Sequence, residues 1–278
     1  FRLHPGVRVG SDQAECLAGA GTVLMVVPSA FVRLTARSLR PHLDPARPRP
    51  PFINASKGVE PDTLRTMGDI LDAEFPRASG VFTLSGPSFA LEVARGVPTK
   101  LVLGGPGGSA AQRWRRLFDG GPLSVSLTTD RRGVELGGSL KNVLAIGAGI
   151  LDGLKPGANT KAALLVQGMD EMGSLIAAAG GKRETIYGLA GLGDLILTGT
   201  SGESRNRAFG EKLGAGLGAA RARREIPTVI EGVAAALSAR ALARRHKIST
   251  PLIDAIYGAV HQGRPASAVL KALGFSLI

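Results

Sequence analysis

The stretch Glu135-Leu136-Gly137-Gly138-Ser139-Leu140-Lys141-Asn142-Val143 places one lysine in a long run of small and apolar residues. The run extends from Gly133 to Leu151 and offers little polar surface on any side. A helix that is apolar on nearly all sides is typical of a protein interior, where lysine is rarely buried without a partner. Lys141 therefore either extends its amine to the surface along its own alkyl chain or has a chemical task.

Shorter elements precede this run, and their order predicts a sheet. Short apolar segments indicate five strands, near residues 22–28, 51–56, 81–84, 99–103 and 123–127. Helical patterns separate several of them, at residues 31–43, 61–75 and 110–118. Alternation of this kind is typical of βαβ units and of a mostly parallel sheet.

The pattern after Asp130 is helical throughout. Helices are predicted near residues 133–151, 159–179, 204–213, 229–246, 250–262 and 266–273. We therefore predict an α/β fold with a domain boundary near Asp130, so that residues 1–130 carry the sheet and residues 131–278 form an all-helical domain.

Composition narrows the class of protein. The 278 residues have a net charge of +12, but the arginines are scattered and no nucleic-acid-binding motif accompanies them, so no nucleic-acid partner is expected. The single cysteine, Cys16, excludes an internal disulfide and points to a reducing compartment. No run approaches the roughly 18 apolar residues that span a bilayer, so no stable membrane insertion is expected.

Polar residues follow three of the predicted strands. Pro28-Ser29, Ser56-Lys57-Gly58 and the segment from Ser85 to Ala90 stand at strand ends. Ligands of open α/β sheets bind beyond the carboxyl ends of the strands, where a lysine beside a glycine can reach an anion. Considered singly, Lys57 is as compatible with an exposed loop, and the Ser-Gly-Pro-Ser segment with an ordinary turn.

A second polar cluster lies in the helical half. Gly191-Leu-Gly-Asp194-Leu places a carboxylate after what the glycines predict to be a tight turn. Ser204-Arg205-Asn206 opens a helix, where a serine cap, free amides and a guanidinium together suit a phosphate group. The alternative is a capped surface helix with a solvated arginine.

Five motifs in this order resemble those of bacterial NAD(P)-dependent glycerol-3-phosphate dehydrogenase. They are Ser56-Lys-Gly, Ser85-Gly-Pro-Ser-Phe-Ala90, the run from Gly137 to Gly149, Gly188-Leu-Ala-Gly-Leu-Gly-Asp-Leu195 and Ser204-Arg-Asn206. The resemblance covers essentially the whole chain. It implies a partial Rossmann-type, dinucleotide-binding domain in residues 1–130 and a substrate domain like the C-terminal domain of 6-phosphogluconate dehydrogenase in residues 131–278.

The resemblance also implies an activity. The family reduces dihydroxyacetone phosphate to sn-glycerol 3-phosphate for glycerophospholipid synthesis, with NAD(P)H as cofactor. A cytoplasmic location, a small phosphate substrate and assembly as a homodimer are the corresponding expectations for this chain, and no metal is expected.

Each matching residue takes a role from the resemblance. Lys141 is expected to donate and accept the proton in catalysis, with Asp194 beside it. The substrate is expected to contact Lys141 and Asp194 together with Lys57, Gly86, Ser88, Ser204, Arg205 and Asn206. The expected cofactor contacts are Lys57, Ala90, Arg205, Val229 and Glu231.

The start of the chain departs from the family pattern. No Gly-x-Gly-x-x-Gly motif occurs before Val23, although the family begins with a βαβ unit that carries one. We therefore expect a preceding segment of roughly 60 residues to be missing, and with it the position that separates NAD from NADP. We also expect an exposed apolar sheet edge next to Val23–Val27 and weak dinucleotide binding by the chain alone.

Two other interpretations remain open from the residues. A hydroxyacid or ketopantoate reductase has the same two-domain plan, but its substrates lack the phosphate that Ser204-Arg205-Asn206 suits. A non-catalytic fragment whose basic surface binds polyanions belongs to a different class, and a steep loss of DNA affinity with salt would be its signature.

Overall fold

A five-stranded sheet and a helical half make up the protein, in a computed structural model that describes residues 3–43 and 49–275. The strands are β1 (Val23–Met25), β2 (Phe52–Asn54), β3 (Val81–Ser85), β4 (Thr99–Gly104) and β5 (Leu123–Thr128). The helices among them are α1 (Gln13–Leu17), α2 (Val32–Leu39), α3 (Met67–Glu74), α4 (Ala90–Ala94) and α5 (Ser109–Phe118). The helices that follow are α6 (Arg131–Leu154), α7 (Ala158–Ala178), α8 (Asp194–Thr200), α9 (Arg205–Gly214), α10 (Ala219–Arg224), α11 (Glu231–His246), α12 (Pro251–His261) and α13 (Ala268–Ala272).

The sheet is mostly parallel, as predicted. Its strands lie in the order β1-β2-β3-β4-β5, and β3–β4 is the one antiparallel pair among these strands. Within the described residues β1 pairs with β2 alone, and its residue Leu24 and the following Val26 are 48% and 63% exposed. The expected apolar edge is therefore present at β1.

Both faces of the sheet are covered, which explains why the strands read as continuous apolar runs. Phe52 and Val81 face the apolar cluster formed with α2 and α3, whereas the next residues, Ile53 and Phe82, face the cluster that contains Trp114 of α5. This alternation follows from the two-residue period of a strand.

Helix α6 is the central element of the helical half. Every residue from Gly133 to Leu151 is buried, and α7, α8, α9 and α11 pack around the helix. By length and hydropathy α6 could span a bilayer, contrary to our reading of the sequence, but its most apolar 18-residue window is entirely buried inside the protein. It is the core helix that the run around Lys141 predicted.

Glycines let α6 and α9 approach until their backbones touch. A Cβ built on Gly149 of α6 would overlap the carbonyl oxygen of Arg207, and one built on Gly210 of α9 would overlap that of Ile146. Any side chain at these two positions would push the helices apart. The close approach thereby sets where α9 begins relative to Lys141.

Glu135 joins α6 to the sheet half. Its buried carboxylate accepts hydrogen bonds from Thr66 Oγ1 at 2.6 Å, Gly68 N at 2.7 Å and Thr83 Oγ1 at 2.8 Å. Burial raises the pKa of Glu135, and the nearby Arg131 and these donors oppose that shift. One side chain thus ties the start of α6 to both α3 and β3.

The predicted helix at residues 61–75 is wrong at its start. Residues 61–65 form a turn in which Leu64 has a left-handed backbone with φ of 57°, and α3 begins only at Met67. Thr66 and Asp69 form a capping box that defines this start. Proline near the apparent first turn favoured an earlier start, but the backbone leaves the helical region at Leu64.

Several short helical segments are not predicted from the sequence. They are α1, α4, α8 and α10, a 3-10 helix at Arg183–Tyr187 and a π-helix at Leu189–Gly193. In the described residues the change from strands to helices falls between Thr128 and Arg131. The division into two domains near Asp130 stays a prediction.

The close approach of α6 and α9 gives a stability prediction. Gly149→Ala should lower the free energy of unfolding by about 1–3 kcal/mol, because the added methyl group overlaps backbone atoms that cannot move aside. Gly21→Ala, at an exposed position with nothing within 4 Å of the added Cβ, should change it by less than about 0.5 kcal/mol. Urea unfolding followed by circular dichroism measures both, and equal stabilities would contradict the packing argument.

Candidate active site

One buried carboxylate holds two lysines that are distant in sequence. Asp194 Oδ2 lies 2.5 Å from Lys57 Nζ, and Asp194 Oδ1 lies 3.0 Å from Lys141 Nζ. The side chain of Lys141 is 5% exposed and that of Asp194 is 2% exposed. Lys141 therefore does not reach the surface, and the three groups carry a net charge of +1 in a buried setting.

This setting lowers the basicity of Lys141. Burial, followed by the positive charge of Lys57, lowers the pKa of the Lys141 amine to about 8. The carboxylates of Asp194 and Glu231 act in the opposite direction but do not cancel the effect. An amine with such a pKa can both give and take a proton near neutral pH.

An unusual turn delivers Asp194 to the two lysines. The predicted glycine turn is instead the π-helix Leu189–Gly193, in which Gly193 N donates to Gly188 O at 3.1 Å. A side chain on Gly191 would overlap the carbonyl oxygen of Ile186, so the segment needs glycine there. Asp194 is then the first residue of α8, which continues directly from the π-helix. Single-turn π-helices are frequent at functional sites.

The strand ends contribute the second lysine. Lys57 follows β2, and its Nζ donates to the carbonyl oxygen of Gly86, which follows β3, at 3.2 Å. Ser88 Oγ donates to the same oxygen at 3.1 Å. Parallel strands place these ends side by side, which is why residues about 30 positions apart in the chain meet.

The start of α9 offers donors for an anion. Ser204 caps the helix, because its Oγ accepts from Arg207 N at 3.2 Å. The amides of Arg205 and Asn206 precede the first intrahelical hydrogen bond and remain available. Arg205 is exposed and makes no ion pair with any residue that the structure describes. This combination suits a phosphate group.

Asn206 also has a structural task that the sequence did not reveal. Its Oδ1 accepts from Gly232 N at 2.9 Å, and its Nδ2 donates to Asn142 Oδ1 at 2.8 Å. Asn142 Nδ2 in turn lies 3.4 Å from Glu231 Oε2. The network fixes α6, α9 and α11 around the lysines and leaves Asn206 one free N–H.

A single cavity of about 160 Å³ collects most of the predicted site residues. It is lined by Lys57, Ser88, Lys141, Asp194, Ser204, Arg205, Asn206, Val229 and Glu231. Gly86 contributes through its carbonyl oxygen, whereas Ala90, the first residue of α4, lies outside the lining.

Sequence reasoning missed three polar residues of this cavity: Glu203, which directly precedes Ser204, and two residues beside the charged groups, Asn142 and Thr198. Asn142 directly follows Lys141 in the motif, and Thr198 stands one turn after Asp194 and donates to its carbonyl oxygen at 2.7 Å. The one sequence signal for them was their spacing from the two charged residues. Neither residue type is conspicuous in a helical run, so only the contacts identify them.

The surroundings of the cavity fit a dinucleotide cofactor. The cavity lies beyond the carboxyl ends of β2 and β3, where such sheets bind nucleotides. Phe89 and the 59% exposed Val229 offer apolar surface beside the charged groups, as a nicotinamide ring requires.

Comparisons with known proteins agree over both halves of the chain. The family models described as the N-terminus and the C-terminus of NAD-dependent glycerol-3-phosphate dehydrogenase match residues 1–110 and 130–271. The glycerol-3-phosphate dehydrogenase [NAD(P)+] of Oleidesulfovibrio alaskensis is 41% identical over 277 residues, which cover 99% of this chain and 83% of the relative. The glycerol-3-phosphate dehydrogenase [NAD(P)+] of Geobacter metallireducens is 42% identical over 274 residues, which cover 98% of this chain and 81% of that relative.

A solved structure agrees as well. The crystal structure of glycerol-3-phosphate dehydrogenase from Coxiella burnetii is 36% identical, with a TM-score of 0.89 over 95% of this chain and 80% of that one. The predicted oxidoreductase class and NAD(P) cofactor are thereby confirmed, and the relatives' names include both NAD and NADP. The chain belongs to the family of NAD-dependent glycerol-3-phosphate dehydrogenases.

Proposed function

We propose that this protein reduces dihydroxyacetone phosphate to sn-glycerol 3-phosphate with NAD(P)H. The observation that carries the proposal is the Asp194 carboxylate held between Lys57 and Lys141, next to the start of α9. A ketone reduction needs a proton source, and a phosphate-bearing ketone also needs an anion site a short distance away. Both lie in the same small cavity.

Lys141 supplies the proton in this proposal. Its ammonium donates a proton to the carbonyl oxygen during reduction, and its neutral amine takes a proton from the hydroxyl group during oxidation. A pKa of about 8 leaves both forms accessible near neutral pH. Asp194 orients the amine, and Lys57 keeps the pKa of Lys141 low through its positive charge.

The start of α9 holds the phosphate in this proposal. The guanidinium of Arg205, the amides of Arg205 and Asn206 and the Ser204 hydroxyl give several donors around one anion. Lys57, Gly86 and Ser88 position the carbonyl end of the substrate from the sheet side. Because both ends of the small substrate are bound, its carbonyl group is held in the orientation that the reaction requires.

Lys57, Ala90, Arg205, Val229 and Glu231 would hold the cofactor, which supplies the hydride when bound. We assign dinucleotide binding to residues 1–130 and the substrate-binding helices to residues 131–278. A role in glycerophospholipid synthesis, a cytoplasmic location and homodimeric assembly belong to the same proposal and rest on the family resemblance.

The proposal is tested by following NADH and NADPH oxidation with dihydroxyacetone phosphate as substrate. Saturable, substrate-dependent oxidation of either cofactor is expected, with 2-oxo acids and ketopantoate inactive. Activity on a 2-oxo acid alone would favour the rival reductases. DNA binding that weakens steeply with salt, without any turnover, would favour a basic binding module.

Removing the Lys141 amine should reduce turnover strongly. Lys141→Ala should lower kcat by about 10²–10⁴, because the proton donor is lost, with little effect on circular dichroism. Lys271→Ala removes an exposed lysine of α13 and should leave kcat unchanged. A near-normal rate for Lys141→Ala would contradict the assigned role.

The pH dependence of the reaction rate should reflect the charges of Lys57 and Asp194, which lie beside Lys141 and shift its pKa in opposite directions. Reduction needs the ammonium and should fall as pH rises through about 8, whereas oxidation needs the neutral amine and should rise through the same range. Lys57→Met removes a cation and should move the inflection to higher pH. Asp194→Asn removes a carboxylate and should move it to lower pH. Shifts in the same direction would contradict this electrostatic account.

Arg205 should matter chiefly for substrates that carry a phosphate. Arg205→Ala should lower kcat/KM for dihydroxyacetone phosphate by about 10- to 100-fold, the typical effect of losing charge-assisted hydrogen bonds. The low activity on dihydroxyacetone, which lacks the phosphate, should hardly change. Arg224→Ala, at an exposed position on α10, is the matched control. Equal losses on both substrates would contradict phosphate binding by Arg205.

A further inference from the structure

A second, larger cavity lies between the sheet half and the helical half. It is open to solvent, has a volume of about 730 Å³ and is bordered by the turn at residues 63–66, α3, the start of α6 and the C-terminal ends of α7 and α11. We call it the α3–α11 cavity. Its volume falls within the range of small-molecule binding sites.

The α3–α11 cavity is separate from the lysine site. The two cavities share no lining residue. Leu136 lines the α3–α11 cavity and Lys141 lines the other; five residues apart on α6, they point roughly 140° away from each other. A molecule bound in the α3–α11 cavity would therefore contact the opposite side of the helix that carries Lys141.

The charges of the wall favour an anion. Asp69 and Asp72 line the cavity, but both are already engaged: Arg132 Nη2 lies 2.7 Å from Asp69 Oδ1, and Arg131 Nη2 lies 2.5 Å from Asp72 Oδ2. Arg65 and Arg245 also line the cavity, and neither makes an ion pair within residues 3–43 and 49–275. Two guanidiniums from separate elements, both on exposed residues, thus face one space. Arg65 also lies close enough to Glu60 to add to the lowering of its pKa, which Arg33 dominates.

The turn that carries Arg65 is held in an unusual shape. Leu64 lines the cavity with φ of 57°, a conformation that leucine rarely adopts. Leu64 N donates to Glu60 O at 2.8 Å, Glu60 N donates to Arg65 O at 2.9 Å, and Ser238 of α11 donates to Val59 O at 2.8 Å. Strained backbone that its surroundings enforce is concentrated at ligand sites.

We propose that the α3–α11 cavity binds a small metabolite with two or more negative charges, carried by phosphate or carboxylate groups. Arg65 and Arg245 supply the charge-assisted hydrogen bonds, and Arg132, held by Asp69 and by Ala179 O at 3.1 Å, supports the wall between them. The proposal concerns a site distinct from the proposed active site and stands independently of the reaction catalysed there.

Calorimetric titration with inorganic pyrophosphate and with citrate tests the proposal. The titrations use Arg205→Ala as the background, so that anion binding at the start of α9 is weakened by about 10- to 100-fold. One binding event should remain in that background for at least one probe. Adding Arg245→Ala or Arg65→Ala should weaken it by about 10- to 100-fold, whereas adding Arg244→Ala, a neighbouring exposed arginine that does not line the cavity, should change it less than about twofold.

The two probes separate the ligand chemistries, because pyrophosphate tests phosphate recognition and citrate tests carboxylate recognition. Absence of binding by both probes in the Arg205→Ala background would overturn the proposal. Equal weakening by Arg244→Ala and Arg245→Ala would also overturn it, because the effect would then reflect overall charge and not this cavity. All titrations are performed at one ionic strength.

Discussion

The shared carboxylate of Asp194 is the interaction on which the arrangement of the site depends. It holds an ammonium from the sheet half, Lys57, and an ammonium from the helical half, Lys141, at 2.5 and 3.0 Å. Two cations around one carboxylate, Lys141 buried and Lys57 partly exposed, leave an excess positive charge among these three groups. Burial of Lys141, reinforced by the positive charge of Lys57, explains why the pKa of Lys141 is lowered despite its ion pair.

The rest of the fold keeps these three groups together. Glu135 ties the start of α6 to α3 and β3, so that the helix bearing Lys141 cannot slide along the sheet. Farther along α6, Gly149 permits backbone contact with α9 and thereby places the donors of that helix at the cavity. The π-helix before Asp194 completes the set. Glu135, Gly149 and the π-helix therefore determine where the polar and charged groups of the site lie.

Much of this organisation was predictable from local patterns. The continuous apolar strands indicated a sheet covered on both faces, and the run around Lys141 indicated a buried helix; both are confirmed. The helix at residues 61–75 failed because a left-handed Leu64 interrupts it, and helix propensity carries no signal for that backbone state. Asn142 and Thr198 were missed because ordinary polar residues gain meaning only through their partners.

The sequence by itself determined the five strands and the longer helices in their order along the chain, the family, and the residue types that the chemistry requires. Only the tertiary structure decided that Lys57 and Lys141 share the carboxylate of Asp194, and that Arg65 and Arg245 face a separate cavity. The physical reason is that residue periodicity reports burial and local backbone geometry. Distances between charges more than 50 positions apart depend on how helices and sheet pack, which no local pattern encodes.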